Sequence, residues 1–173
     1  MVGTSSRQHR TLEAIAKRLD ALPEVRGALV VGSLAAGTAD AASDVDLFVC
    51  AAPGQFGGAW ARRNELHVTG ALVCWDEGWH PGTQVAVHRW VTDDMVLVEA
   101  LFSAEGSGVQ LAEPWRVVAG DPDVVASFVP RQPIDRAEFD REAAHPLDRA
   151  FEDLKRALRV AGVPAATERH PAA

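Results

Sequence analysis

The sequence predicts an α/β (α+β) chain in which a twisted mixed β-sheet of about four or five strands is packed by helices on one face. Three observations lead there. A stripe of apolar residues at helical spacing near the N-terminus runs into a short β-branched apolar segment. A second short segment alternates carboxylates with apolar residues, the period of a strand. Two further apolar runs, 84–91 and 95–103, are joined by Thr92-Asp93-Asp94, which reads as a hairpin.

The elements follow in order. Leu12, Ile15, Ala16, Leu19 and Leu22 share one helical face, with Thr11 or a preceding Ser as cap and Pro23 beyond the end. Gly27-Ala28-Leu29-Val30-Val31 is a buried strand, broken by Gly32-Ser33. Leu34-Ala35-Ala36 makes one helical turn, stopped by Gly37. Asp44 to Cys50 is the second strand, ended by Pro53 and Gly54. Residues 58–67 read as helical and 71–75 as a strand; Asp76 to Gly82 reads as a loop. Residues 116–119 suit a short edge strand. Gly120-Asp121-Pro122-Asp123 opens a short helix with an Asp cap. Pro130 and Pro133 mark a linker, and Leu147, Ala150, Phe151, Leu154 and Leu158 form the stripe of a last helix, with Glu152 and Arg156 paired across solvent. The division expected is a domain over 1–120 and a helical C-terminal extension over 121–173 with a frayed tail.

Charge and composition narrow the partners. Lys and Arg total 17 and Asp and Glu 24, a formal charge of −7. Long polyanions bind through Lys and Arg, so an acidic chain without a basic stretch argues against nucleic acid. The N-terminal ten residues lack the apolar core of a signal peptide, and no apolar run is long enough to span a bilayer. A cytoplasmic location and no membrane partner are therefore expected. Cys50 and Cys74 both lie in apolar strand-like surroundings and read as reduced packing residues; neither has a Cys or His at zinc-ligand spacing.

The chemistry concentrates in Val30 to Val49. Gly32 permits close approach of backbone to a phosphate because it lacks a Cβ. Ser33 adds a hydroxyl where a helix begins, and free N–H groups at such a start attract anions. After ten intervening residues, Leu34 through Ser43, come Asp44 and Asp46, two apart on a strand and so on one face. Two adjacent carboxylates repel unless a cation lies between them, and hard oxygen ligands select Mg²⁺. Together these features describe a metal–triphosphate site.

This pattern resembles the DNA polymerase beta-type nucleotidyltransferase superfamily: an apolar residue, Gly-Ser or Gly-Gly, about ten residues, then Asp-x-Asp between apolar neighbours. Val31, Gly32, Ser33, Gly37, Ser43, Asp44, Val45, Asp46 and Leu47 fit it, and the resemblance spans roughly residues 11–120. It implies a nucleotidyltransferase fold and metal-dependent transfer of a nucleotidyl group, AMP from ATP, to a hydroxyl. Gly32, Ser33 and Ser43 would bind the nucleotide. Asp44, Asp46 and a third acid on a later strand would be catalytic and hold Mg²⁺ or Mn²⁺. Glu99, amid Val96-Leu97-Val98 and Ala100-Leu101-Phe102, matches the third acid. The alternative for Glu99 is a plain ion pair with Arg89 or His88 on the adjoining run; Asp93 and Asp94 are the fallback acids but read as turn residues.

The acceptor expected is a small molecule such as an aminoglycoside-like compound, for which the loop acids Asp76 and Glu77 would suit a polycation and Trp75 and Trp79 an aromatic pocket. A second reading, suited to the short chain, is a minimal nucleotidyltransferase antitoxin that modifies a helical partner protein. A third is a degenerate nucleotide-binding domain, since Leu34 and Ala36 stand where relatives often carry basic residues. A homodimer is compatible with all three.

Overall fold

Ser6 starts the first helix in the computed structural model, which describes residues 6–77 and 84–130 and, further on, only Ala150, Asp153, Arg156 and Ala157. The Ser6 hydroxyl accepts the backbone N–H of His9 at 3.3 Å, and α1 runs over Arg7–Asp20. Lys17 and Arg18 in its last turn complement the negative end of the helix dipole. Leu12, Ile15 and Leu19 are buried, as their spacing predicts.

The main sheet has six strands: β1 (Val25–Val31), β2 (Val45–Ala51), β3 (Val73–Glu77), β4 (Val85–Val91), β5 (Leu97–Ser103) and, after a two-residue β6 (Gln110–Leu111), β7 (Trp115–Gly120). Their order is β3-β4-β5-β2-β1-β7. The sheet exceeds the four or five strands expected because both β3 (Val73–Glu77) and β7 (Trp115–Gly120) join it, one at each edge. Only β2 and β5 run parallel, so the chain leaves β2, crosses α3 (Phe56–Ala61), a 3₁₀ turn (Arg63–Leu66), β3 and β4, and returns beside β2. The β4–β5 hairpin is as predicted, turning through Thr92, whose hydroxyl accepts the N–H of Val96.

Alternation divides the sheet. Val45, Leu47 and Val49 of β2, Val98, Ala100 and Phe102 of β5 and Trp90 of β4 face α1 and α3 in the larger core. Each such fully buried aliphatic side chain contributes about 1.5–3 kcal/mol by leaving water. The opposite face is not bare: Leu29 and Cys50 pack under Leu111, Val124 and Phe128. Phe48 meets the edge of Phe128 at 5.7 Å. Val124 belongs to a 3₁₀ turn, Pro122–Ser127, capped by Asp121 as its Gly-Asp-Pro-Asp opening predicts, and β8 (Val129–Pro130) pairs in parallel with β6. Residues 121–130 thus pack on the sheet.

Two expectations need correction. Asp76 and Glu77 are strand residues at the end of β3, not loop residues. Cys74 is exposed on that edge strand rather than packed, while Cys50 is buried and both thiols are free. Trp79, His80, Pro133, Glu152 and most of the predicted C-terminal helix lie outside the described residues; Arg156 pairs with Asp153 at 3.4 Å. No described helix is long and apolar enough to cross a membrane.

Candidate active site

β1 delivers the chain to Gly32, whose φ of +66° is a left-handed conformation that side chains disfavour. That turn starts α2 (Gly32–Ala36), and Gly37 ends it at φ +71° with its N–H on the Ser33 carbonyl. A Cβ placed on Gly32 would lie 3.0 Å from Asp46 Oδ2 and meet nothing else nearby. The glycine corner and the second Asp of the pair therefore adjoin, and the open side of Gly32 is a cradle that a side chain would fill.

Asp44 immediately precedes β2, and Asp46 is its second residue. Val45 and Leu47 are buried while Asp44 and Asp46 are half-buried, the alternation that the sequence predicts. The loop that delivers Asp44 is clamped by α1. Buried Gln8 donates to the carbonyls of Asp40 (3.0 Å) and Ser43 (3.2 Å). Arg7 donates to the carbonyls of Ala41 (2.6 Å) and Asp94 (2.9 Å). Ser43 is taken up in the same turn: its hydroxyl donates to Asp40 Oδ1 and accepts the Asp40 N–H, both at 2.9 Å. It steadies the approach to Asp44, and any contact to nucleotide would compete with these bonds.

Glu99 is the register partner of Asp46 in the parallel β2·β5 pair. Its antiparallel partner on β4 is Arg89, whose partner on β3 is Trp75. Directly paired residues point to the same side of a sheet. One row across four strands thus reads Asp46, Glu99, Arg89, Trp75. Arg89 Nε donates to Glu99 Oε2 at 2.7 Å, and its Nη1 binds Glu77 Oε2. Glu99 is thus the strand neighbour of Asp46 and the ion-pair partner of Arg89. Among the described residues no group of three His, Cys, Asp or Glu side chains is gathered to hold a metal ion. Asp93 and Asp94 lie in the hairpin turn, away from this row.

Sequence reasoning missed a polar cluster on the other face. His88 is buried, and its Nδ1 meets Asp76 Oδ1 at 2.7 Å while its Nε2 meets His67 Nε2 at 2.8 Å. Arg63 binds Asp76 with two nitrogens, at 3.1 and 2.9 Å, and lies over the Trp60 ring at 4.5 Å. Burial pushes both histidines below the ordinary imidazole range. Burial works to raise the Asp76 carboxyl, but hydrogen bonds from Arg63 and His88 outweigh it and hold the carboxyl below its usual range. Neutral His88 therefore donates from Nδ1 to Asp76 and accepts at Nε2 from His67. The cluster ties the turn after α3 to β3 and β4. Asp76 is consequently not offered to an acceptor on the Asp46 face.

Residues 12–80 match the family model described as a nucleotidyltransferase domain. No curated protein matches the chain. The match runs from within α1 past the end of β3 and contains Gly32, Ser33, Asp44 and Asp46; Arg89 and Glu99 lie beyond it. Over the matched segment the chain is similar to a nucleotidyltransferase domain, and the mixed sheet fits that likeness, which supports a nucleotide substrate and nucleotidyl transfer in general terms.

Proposed function

We propose that this protein transfers AMP from ATP to a hydroxyl of a small molecule such as an aminoglycoside-like compound, with pyrophosphate as the leaving group, using Asp44 and Asp46 to hold Mg²⁺ or Mn²⁺. The carrying observation is the left-handed Gly32 with its open side against the Asp46 carboxylate. The donor set fits the ion: two half-buried carboxylates, one just before β2 and one within it, are hard oxygen ligands beside the open side of Gly32. Bound there, the cation would neutralise charge on the triphosphate and lower the pKa of the attacking hydroxyl.

The chain's own residues do the rest. Gly32 lets a phosphate approach the backbone, and the Ser33 hydroxyl donates to one of its oxygens. Glu99, one strand over from Asp46, completes the acid set and takes the proton of the acceptor hydroxyl. Catalysis is chiefly positioning and charge neutralisation. The net charge of −7 favours a cationic acceptor.

A second reading, a protein acceptor, draws support from Leu72 and Val73, exposed at the β3 edge of the sheet, with Met95 also exposed. Incubation with Mg²⁺ and α-labelled ATP, against amino sugars and purified helical proteins, separates the two by where label appears. Asp46→Asn is expected to cut labelling by at least about a hundredfold with circular dichroism unchanged. Full labelling by that variant would remove the metal assignment.

A further inference from the structure

Arg89 bridges two carboxylates from the strands on either side of its own: Glu99 on β5 and Glu77 on β3. The guanidinium is the buried partner, with 15% of its side chain exposed against 37% for Glu99 and 32% for Glu77. It is charged at every accessible pH, and burying it unpaired would be costly. Two acids therefore secure it, and either can leave while the other keeps it paired. The one that stands beside Asp46 is Glu99.

We infer that Arg89 is a resident counter-cation that competes with the divalent ion for Glu99. Without metal it holds the Glu99 carboxylate back from the Asp44/Asp46 pair. When a cation binds at that pair, Glu99 exchanges its bond to Arg89 for the ion, and Glu77 retains the guanidinium. Arg89 is thus a positioning residue: it acts through Glu99, and Glu77 sets how readily Glu99 is released. The inference rests on the metal reading above.

The test is Mn²⁺ affinity of the full chain, read from the paramagnetic resonance signal of free aqueous Mn²⁺. Loss of a charge-assisted hydrogen bond predicts that Arg89→Gln binds Mn²⁺ about tenfold more tightly. Glu77→Gln removes one of the two acids that hold Arg89, strengthens its hold on Glu99 and is expected to weaken binding severalfold; it carries the test if Arg89→Gln does not fold. Both effects should vanish in a Glu99→Gln background. Unchanged or weaker affinity in folded Arg89→Gln, unchanged affinity in Glu77→Gln, or shifts that persist without the Glu99 charge would overturn the role of Arg89. Failure of the underlying reading looks different: wild type itself would bind no Mn²⁺, or bind it equally well as Asp46→Asn.

Discussion

Gly32→Ala, measured beside Gly37→Ala, isolates the contribution of the glycine corner. The two glycines bracket one short helix and have nearly equal positive φ, +66° and +71°. An alanine in that region costs about 1–2 kcal/mol at either position, which for a chain of this size lowers the melting temperature by about 2–8 °C. Their surroundings differ. A methyl on Gly37 meets nothing within 4 Å, whereas one on Gly32 stands 3.0 Å from Asp46 Oδ2 and occupies the cradle. The carboxylate must give way by a few tenths of an ångström, and the space for a phosphate shrinks. Calorimetric titration with Mg²⁺–ATP should show Gly32→Ala weaker by at least about tenfold, a difference of 1.4 kcal/mol, and Gly37→Ala close to wild type. Chemical denaturation of both variants confirms that their stabilities fall alike. Equal affinities in the two variants would refute the idea that the open side of Gly32 receives the triphosphate.

The remaining predictions concern the scaffold. Gly120→Ala should be far worse than Gly37→Ala: at φ +71° its methyl would stand 2.6 Å from Gly27 Cα and against the Arg26 main chain. Overpacking on backbone adds to the left-handed strain, for a loss of about 2–5 kcal/mol in urea unfolding; a loss no larger than that of Gly37→Ala would contradict the packing of β7 on β1. The histidine pair predicts acid sensitivity. Because burial depresses His88 and His67 in the fold, the unfolded chain binds more protons once pH falls below about 6.5. Stability present above that pH is lost as acidity rises toward the depressed folded values, at up to about 1.4 kcal/mol per pH unit per proton. Denaturation midpoints at several pH values should show this slope, flattened in His67→Gln; an equally steep slope in that variant would place the titration elsewhere.

Much of the site was legible because it is local. The parity of Asp44, Val45, Asp46 and Leu47 specifies which side chains turn inward, and the Gly32 and Gly37 conformations follow from what only glycine adopts readily. What escaped depends on partners distant in sequence. Asp76-Glu77-Gly78 looks like a loop by composition; pairing with His88 and Val87 on β4 extends the strand through its first two residues. Gln8 is one polar residue on an amphipathic helix, and nothing local reveals that its amide holds carbonyls near Asp44. β6 and β8 are two residues each, too short for any periodicity. Arg89 was visible as a candidate partner of Glu99, but its second grip on Glu77 required knowing that β3, β4 and β5 lie in that order.

The lone parallel pairing in the sheet has a consequence for assembly. Asp46 and Glu99 become neighbours only after some fifty intervening residues have been laid down as two strands, a helix and a turn. A chain whose β4–β5 hairpin has not docked lacks the side-by-side placement of Asp46 and Glu99. That neighbourhood is thereby tied to completion of the fold: it exists only once the strand after the hairpin has paired beside β2.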